Sequence, residues 1–540
     1  MEEYHGDFYR TLFECLSESG RLTATQTAQK CHLPLRQVKI GLSGLIQLRL
    51  ITHHTILDSP STYSANLTAA YNIIRVGKLI EAARGSHGDL AAEILVTFCE
   101  LGFATISEVR DRLLSRPDIS EENNAHAVEH QIQELHEGQY LVNVRTAHFS
   151  EGHDTRRDYE LIGTTAVQLA KLSGTKAKQE HAERVEAGYR DLVSTKRSES
   201  GYTNDKFLTT FNKAASNGVN GTTNLANGHN KAISVLLQPN LHKVVSIAQG
   251  ACVTDVATKT FGKTAGTVLR CAIQQVADSD VWTKQPPEYI HLIDTQGLRD
   301  DVNAERQSQI ESDSRNAKLK VNGYTTTVEE DDLRTTDVER QLALLTEGPF
   351  RFLSSGAAGS SFFIDKDMLD FYLRREEILR VMDSKVEPPA PRILRILIDK
   401  GKLEEKTLQE IGLLGAKELR QCLSMLKQMG YLDLQEVPRN PQRQPNQTVF
   451  LWFHDAKRVS NLIVENTYTT IARLMELLKL ERQNLASTLA KVEREDVKGK
   501  EEQMLGPAEY IVLMRHRRLE EWVWEEIHRL DSTVAILRDS

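Results

Sequence analysis

The sequence predicts a mainly α-helical chain with small β-hairpins and a long helical hairpin at its C-terminal end. Two patterns carry that expectation. The first is a motif met three times, as Leu45-Ile-Gln-Leu-Arg-Leu50-Ile51, Leu135-His-Glu-Gly-Gln-Tyr140-Leu141 and Leu426-Lys-Gln-Met-Gly-Tyr431-Leu432. Each sets an apolar residue, a gap of four and two adjacent apolar residues between a helical pattern and an extended one. The second is a 3.5-residue apolar period through Val464, Tyr468, Ile471, Met475, Leu478, Leu485, Leu489 and Val492, missed only at Arg482.

Taken in order, residues 24–31 and the steps Val38, Leu42, Leu45 predict two short helices, and the β-branched run after Ile51 predicts a hairpin. Three helices followed by a two-stranded wing make a winged helix, predicted here at 1–75. Pro34 suits the start of the third helix. A second copy is expected at 85–170, with Arg116-Pro117-Asp118 breaking the chain between its helices. A degenerate third copy is expected at 231–375, with helices at 232–249, 252–260 and 265–276 and a hairpin around Gly356 and Gly359. The fourth is expected at 385–456. Residues 196–230, rich in Ser, Thr, Asn and Gly, read as a flexible linker. The polar stretch near 298–335, with its run Glu329-Glu-Asp-Asp332, reads as a surface insertion in the third copy.

From 461 to 540 the pattern predicts an antiparallel coiled-coil hairpin, broken at Gly506-Pro507. Residues 464–497 would form one helix of ~50 Å. Its seam would be Ile471, Met475, Leu478, Leu485, Leu489 and Val492, facing a second helix with Ile511, Arg515, Arg518, Trp522, Ile527, Leu530 and Val534 on or near one stripe. Two ordinary amphipathic helices packed on the last winged helix are the alternative.

The 540 residues allow several domains, and 40% apolar content argues against wholesale disorder. With 67 Lys+Arg against 75 Asp+Glu, the net charge of −8 excludes a protein that coats nucleic acid by bulk charge. Six scattered cysteines, none in a C-x-x-C pair, fit a reducing compartment. No apolar run approaches the ~20 residues that span a bilayer. The acidic start has no signal-peptide pattern, so the nucleus or cytosol is expected and a membrane is not.

Catalytic and cofactor motifs are weak. Phe261-Gly262-Lys263-Thr264 lacks the first glycine of a phosphate-binding loop, since Ala257 stands there, and reads as a turn between helices. His126 and His130 share a helix face but have no third ligand at a useful spacing, so neither metal nor cofactor is expected. No Gly-x-Ser-x-Gly elbow is present, and no enzyme activity is expected.

Local charge is more informative. Residues 21–57 hold Arg21, Lys30, Arg36, Lys39 and Arg49 and no acidic residue, with Arg36 and Lys39 near the start of the third helix. Such cations meet DNA phosphates or an acidic protein surface, and both readings stay open. Residues 104–149 carry four basic and eight acidic residues, which favours a protein contact there. The expected wing of that unit, however, carries Arg145, Arg156 and Arg157. Residues 391–430 carry eight basic and five acidic residues and read as a solvated surface.

The most specific text follows the last motif: Leu432-Asp-Leu-Gln-Glu-Val-Pro-Arg439, then Gln447-Thr-Val-Phe-Leu-Trp-Phe453. With Ile393-Leu-Arg-Ile-Leu397, Lys402-Leu-Glu-Glu-Lys406 and the N-terminal Gly20-Arg-Leu-Thr, it strongly resembles the tandem winged-helix subunit of eukaryotic RNA polymerase III, the largest member of that enzyme's initiation heterotrimer. The resemblance covers most of the chain but not 196–230 or 300–335. It implies a nuclear, non-catalytic subunit on the clamp of the largest polymerase subunit. The implied partners are the other two heterotrimer subunits, the polymerase III initiation factor and promoter or downstream DNA, at genes for transfer RNA, 5S ribosomal RNA and other small RNAs. A winged-helix scaffold of another nuclear complex is the alternative. A sequence-specific repressor fits less well, because the second unit is acidic.

Overall fold

The computed structural model describes residues 5–55, 60–115, 125–144, 174–197, 236–277, 293–318, 333–347, 352–355, 362–364, 366–438, 448–494 and 499–539, with 149, 153–154, 156–158, 160 and 497. The expected linker beyond 197, the Arg116-Pro117-Asp118 break, the run Glu329 to Asp332, the loop at Gly356 and Gly359, and Arg145 lie outside the described residues. The chain forms two compact units, Met1–Ser246 with Gln274–His291 and Ile247–Ile273 with Leu292–Ser540.

The first unit opens with α1 (Asp7–Ser19), β1 (Leu22–Thr23), α2 (Ala24–Cys31), α3 (Leu35–Gln47), β2 (Ile51–His54) and β3 (Thr62–Ala65). The sheet order is β1-β3-β2, antiparallel throughout, with Leu22 opposite Tyr63 and Ile51 opposite Ala65. Leu12, Leu16, Val38, Leu42, Leu45, Leu50 and Ile51 bury one small core under that wing. After α4 (Leu67–Asn72) and α5 (Val76–His87) the order repeats in α6 (Asp89–Leu101), β4 (Ala104–Thr105), α7 (Ile106–Leu114), α8 (Ala125–Glu137) and β5 (Leu141–Asn143). Then come a long helix, α9 (Thr175–Arg197), and β6 (Leu236–Pro239).

β6 closes the second wing, lying between β4 and β5 with Leu141 opposite Pro239. The strand expected directly after Leu141 is therefore supplied from beyond residues 144–235. The helix expected at 232–249 is partly this strand. Proline is poorly tolerated inside a helix, and Pro239 marks the strand's end.

α10 (His242–Phe261) is one helix where two were expected, and α11 (Lys263–Ala277) follows it. In the second unit, α12 (Thr295–Lys318), α13 (Thr335–Glu347), β7 (Ser354–Ser355) and β8 (Phe362–Phe363) complete the third repeat, with α11 as its first helix. The three helices expected at 232–249, 252–260 and 265–276 are thus displaced: only the last belongs to the triad, as its first member. The expected polar insertion begins as α12, which buries Leu298 and Val302. Among the described side chains of this helix those two are the buried apolar ones, set in a sequence crowded with charge, which disguises it as surface.

After α14 (Lys366–Lys385), the fourth repeat runs through α15 (Ala390–Lys400), α16 (Glu405–Gly412), α17 (Ala416–Gln428), β9 (Asp433–Pro438) and β10 (Thr448–Phe453). All four repeats share a further detail. The extended residue after the first helix pairs with the last strand: Leu22 with Tyr63, Ala104 with Leu237, Ile293 donating to the Phe362 carbonyl at 2.9 Å, and Leu403 with Trp452.

The repeated sequence motif has one physical cause. Arg49, Gln139 and Gly430 all hold positive φ, at 60°, 61° and 82°. The next residue's N–H returns to the helix, Leu50 to the Leu45 carbonyl, Tyr140 to Leu135 and Tyr431 to Leu426, at 2.9, 2.8 and 2.9 Å. These are Schellman closures, which satisfy the last helical carbonyls and bring two apolar residues together at the turn into the wing.

The C-terminal region holds α18 (Ala456–Asn484), α19 (Ala486–Val492), α20 (Glu501–Met504) and α21 (Pro507–Leu537). The single helix expected over 464–497 ends at Asn484, and Leu485 leaves helical geometry at φ −101° and ψ 11°. The long helices run antiparallel, as Tyr468–Arg538, Arg482–Glu520 and Lys491–Glu509 show. The seam of α21 is Leu513, His516, Val523, Ile527 and Val534; Ile511, Arg515, Arg518 and Trp522, expected on it, face solvent. Val459, Ile463, Val464 and Leu537 join the core of the fourth repeat. Among the described residues no helix is long and apolar enough to cross a membrane.

Candidate nucleic-acid interface

The basic helix is built by its neighbours. Thr23 and Gln26 form a reciprocal cap that starts α2. His32, in left-handed conformation at φ 54°, ends it, and Pro34 precedes α3. α3 turns Val38, Gly41, Leu42 and Leu45 inward. Gly41 and Gly44 lie so close to Leu12, Phe8 and Tyr9 of α1 that a Cβ would collide with them. With that face fixed, Arg36, Lys39, Ile40 and Ser43 are left exposed. Arg36 and Lys39 are one helical turn apart and have no carboxylate partner among the described residues. The positive end of the helix dipole adds to their charge at the α3 N-terminus. Lys30, on α2, is exposed and donates to Ser19 Oγ at 2.8 Å.

Other sequence candidates have structural duties. Arg21 grips Asp154 through both guanidinium nitrogens at 2.5 Å. Burial alone would push the Asp154 carboxyl up; the Arg21 hydrogen bonds and charge outweigh that and hold it below its ordinary range. Arg49 donates to Gln238 Oε1 at 2.9 Å, linking the first wing to β6. Arg156 stacks over Tyr189 at 5.3 Å and lies 3.6 and 3.9 Å from Glu160 and Glu186. Arg157 is exposed, with no carboxylate partner among the described residues. The contacts of Asp154 with Arg21 and of Asp158 with His54 were invisible in the sequence. Their partners lie 133 and 104 residues away, and no local pattern announces them.

The corresponding helix of the second repeat is acidic. On α8, Glu129 accepts from Arg110 at 2.8 Å and Glu134 from Gln131 at 2.8 Å. His130 lies 3.4 Å from Glu134. His136 is fully buried, and burial pushes its imidazole down to about 4. Among the described residues no group of three His, Cys, Asp or Glu is placed to hold a metal. Phe261-Gly262-Lys263-Thr264 is the turn between α10 and α11, with Gly262 at φ 99°.

The C-terminal seam divides. Ile471 and Leu478 are buried, and Met475 and Leu485 are half-buried. Leu489 and Val492 pack on a separate cluster of Val497, Leu505 and Leu513.

Three family models match the chain. They are the RNA polymerase III subunit RPC82 helix-turn-helix domain at residues 1–55, RNA polymerase III subunit RPC82 at 130–369, and the POLR3C C-terminal winged-helix domain at 378–454. The chain is similar to the DNA-directed RNA polymerase III subunit rpc3 of Aspergillus fumigatus, 26% identical over 100% of this chain and 98% of the relative. It is likewise similar to the rpc3 of Ajellomyces capsulatus, 27% identical over 100% of both chains, and to that of Aspergillus niger, at 26% over 100% and 98%.

Proposed function

The chain belongs to the RNA polymerase III subunit RPC82 family, and from that premise we propose that it acts in transcription initiation by placing winged helices between the polymerase core and DNA. RNA synthesis falls to other subunits of the enzyme, and this chain contributes protein and nucleic-acid contacts in the nucleus. Its partners are the clamp of the largest subunit, the other two members of the initiation heterotrimer, the initiation factor and promoter or downstream DNA. It serves promoter opening and factor recruitment at genes for transfer RNA, 5S ribosomal RNA and other small RNAs. The C-terminal helices and the acidic second repeat serve protein docking.

The observation that carries the DNA contact is the exposed pair Arg36 and Lys39 on α3, with no carboxylate partner among the described residues. Lys30 and Arg157 are the remaining exposed candidates with no carboxylate partner among the described residues. Two phosphate contacts release counterions, so their loss makes the dependence of log affinity on log salt shallower by about 1–2. The test places Arg36→Glu with Lys39→Glu in the complete polymerase and titrates promoter DNA at several salt concentrations. A weaker complex with a shallower salt slope is expected; unchanged binding and slope would remove α3 from the DNA contact. Leu35 and Ile40, 38% and 59% exposed beside these cations, favour a second reading in which α3 meets an acidic protein surface. That reading predicts lost polymerase association with DNA affinity unchanged.

A further inference from the structure

We propose that the solvent face of α21, built on Ile511, Arg515, Arg518 and Trp522, is a docking surface for an apolar pocket with an acidic rim on another polymerase III subunit. The proposal rests on this chain working as a subunit of that enzyme. The four residues follow steps of four, three and four along one helix, so they form a continuous stripe. All four are exposed, on the side of α21 away from its seam of Leu513, His516, Val523 and Ile527. Ile511 is 61% exposed and Trp522 51%. Large apolar groups at such positions keep unfavourable contact with water until a partner covers them.

Charge selects the partner. Arg517 and Arg529 of the same helix are paired, with Glu501 at 3.2 Å and Glu526 at 2.6 Å. Arg515 and Arg518, between the two apolar residues, form no ion pair among the described residues. Trp and Arg together are the residue types that dominate protein-interface energetics. Ile511 and Trp522 offer apolar area that a phosphate backbone does not cover, so a protein surface fits this face better than nucleic acid does. The complement is an apolar socket for Trp522 whose acidic residues meet Arg515 and Arg518, on the Ile511 side of the socket and away from the exposed Glu521 and Glu525.

The test uses the tagged full-length chain assembled in cells, with a photo-reactive benzoylphenylalanine in place of Trp522 or, separately, Ile511. Crosslinked peptides mapping to an acidic, apolar segment of another polymerase III subunit are the expected result. Trp522→Ala is expected to lower polymerase recovery about tenfold, the scale of an interfacial hot spot, and Arg515→Glu with Arg518→Glu to do so in a salt-dependent way. Thermal melting of each purified variant separates lost docking from lost folding, and the crosslinking arm stands even where a variant fails to fold. Adducts to nucleic acid, to a second copy of this chain or to nothing, while the chain still recovers polymerase, would overturn the proposal. Recovery of no polymerase by the unsubstituted chain overturns the subunit reading and this inference with it.

Discussion

Lowering the pH from 7 to 5 should loosen the second winged helix through His136. This side chain is fully buried on α8, beside the Schellman closure of Tyr140 on Leu135. Burial lowers its pKa from an ordinary 6.5 to about 4, against a smaller opposing hydrogen bond with Asn143. The unfolded chain therefore takes up a proton near pH 6.5 and the folded one only near pH 4. Between those values the unfolded state binds more protons, so stability falls as the pH falls. The loss is negligible above pH 7, about 2 kcal/mol at pH 5 and about 3 kcal/mol at pH 4. His136→Gln retains a polar group for Asn143 but does not titrate. A chain of several domains does not unfold in one step, so the readout is local: hydrogen exchange of peptides within 125–143 across a urea titration, at pH 7 and pH 5. The wild-type midpoint should shift between the two pH values by the equivalent of about 2 kcal/mol more than that of the variant. Equal shifts in the two proteins would refute the reasoning.

Three further outcomes follow from the packing. Leu478→Ala, at a buried seam position of α18, should cost about 2–5 kcal/mol, whereas Leu485→Ala, half-buried at the helix break, should cost less; limited proteolysis of 456–494 ranks the two, and equal sensitivity would contradict the broken seam. Gly102 and Gly88 both hold positive φ, but a Cβ on Gly102 would strike the backbone of Gln47 while one on Gly88 meets nothing. Gly88→Ala should therefore cost about 1–3 kcal/mol of backbone strain alone and Gly102→Ala clearly more, with protection lost at the α3 end in hydrogen exchange. Asp154→Asn removes the charge that Arg21 grips and should raise protease cleavage near 153–158; wild-type resistance would show the pair to be incidental.

What the sequence disclosed followed the range of its physical causes. The motif at Leu45, Leu135 and Leu426 was legible because a Schellman closure is local: it needs buried residues at fixed offsets from one turn. The fourth repeat was legible for the same reason, with every element contiguous and β9 joined directly to β10. The second wing was not, because β6 arrives after residues 144–235 and a strand of four residues carries little pattern of its own. α12 was hidden by its charge, which masks the apolar pair Leu298 and Val302 that it buries. On α21 the sequence favoured Ile511 and Trp522 for the seam by their apolarity, but the helix buries His516 and Asp531 instead. The basic stretch was found as a composition, yet only geometry separates Arg36 and Lys39 from Arg21 and Arg49, whose partners are distant in sequence.

The central claim is that this chain is a working part of RNA polymerase III, and one measurement addresses it directly. The tagged full-length chain is recovered under native conditions, and every protein that comes with it in fixed proportion is identified. The account predicts the two largest polymerase III subunits and the two remaining heterotrimer members, one copy of each per chain, in a complex that transcribes a transfer RNA gene. Recovery of the chain alone, or in fixed proportion with an assembly lacking those subunits, would contradict it.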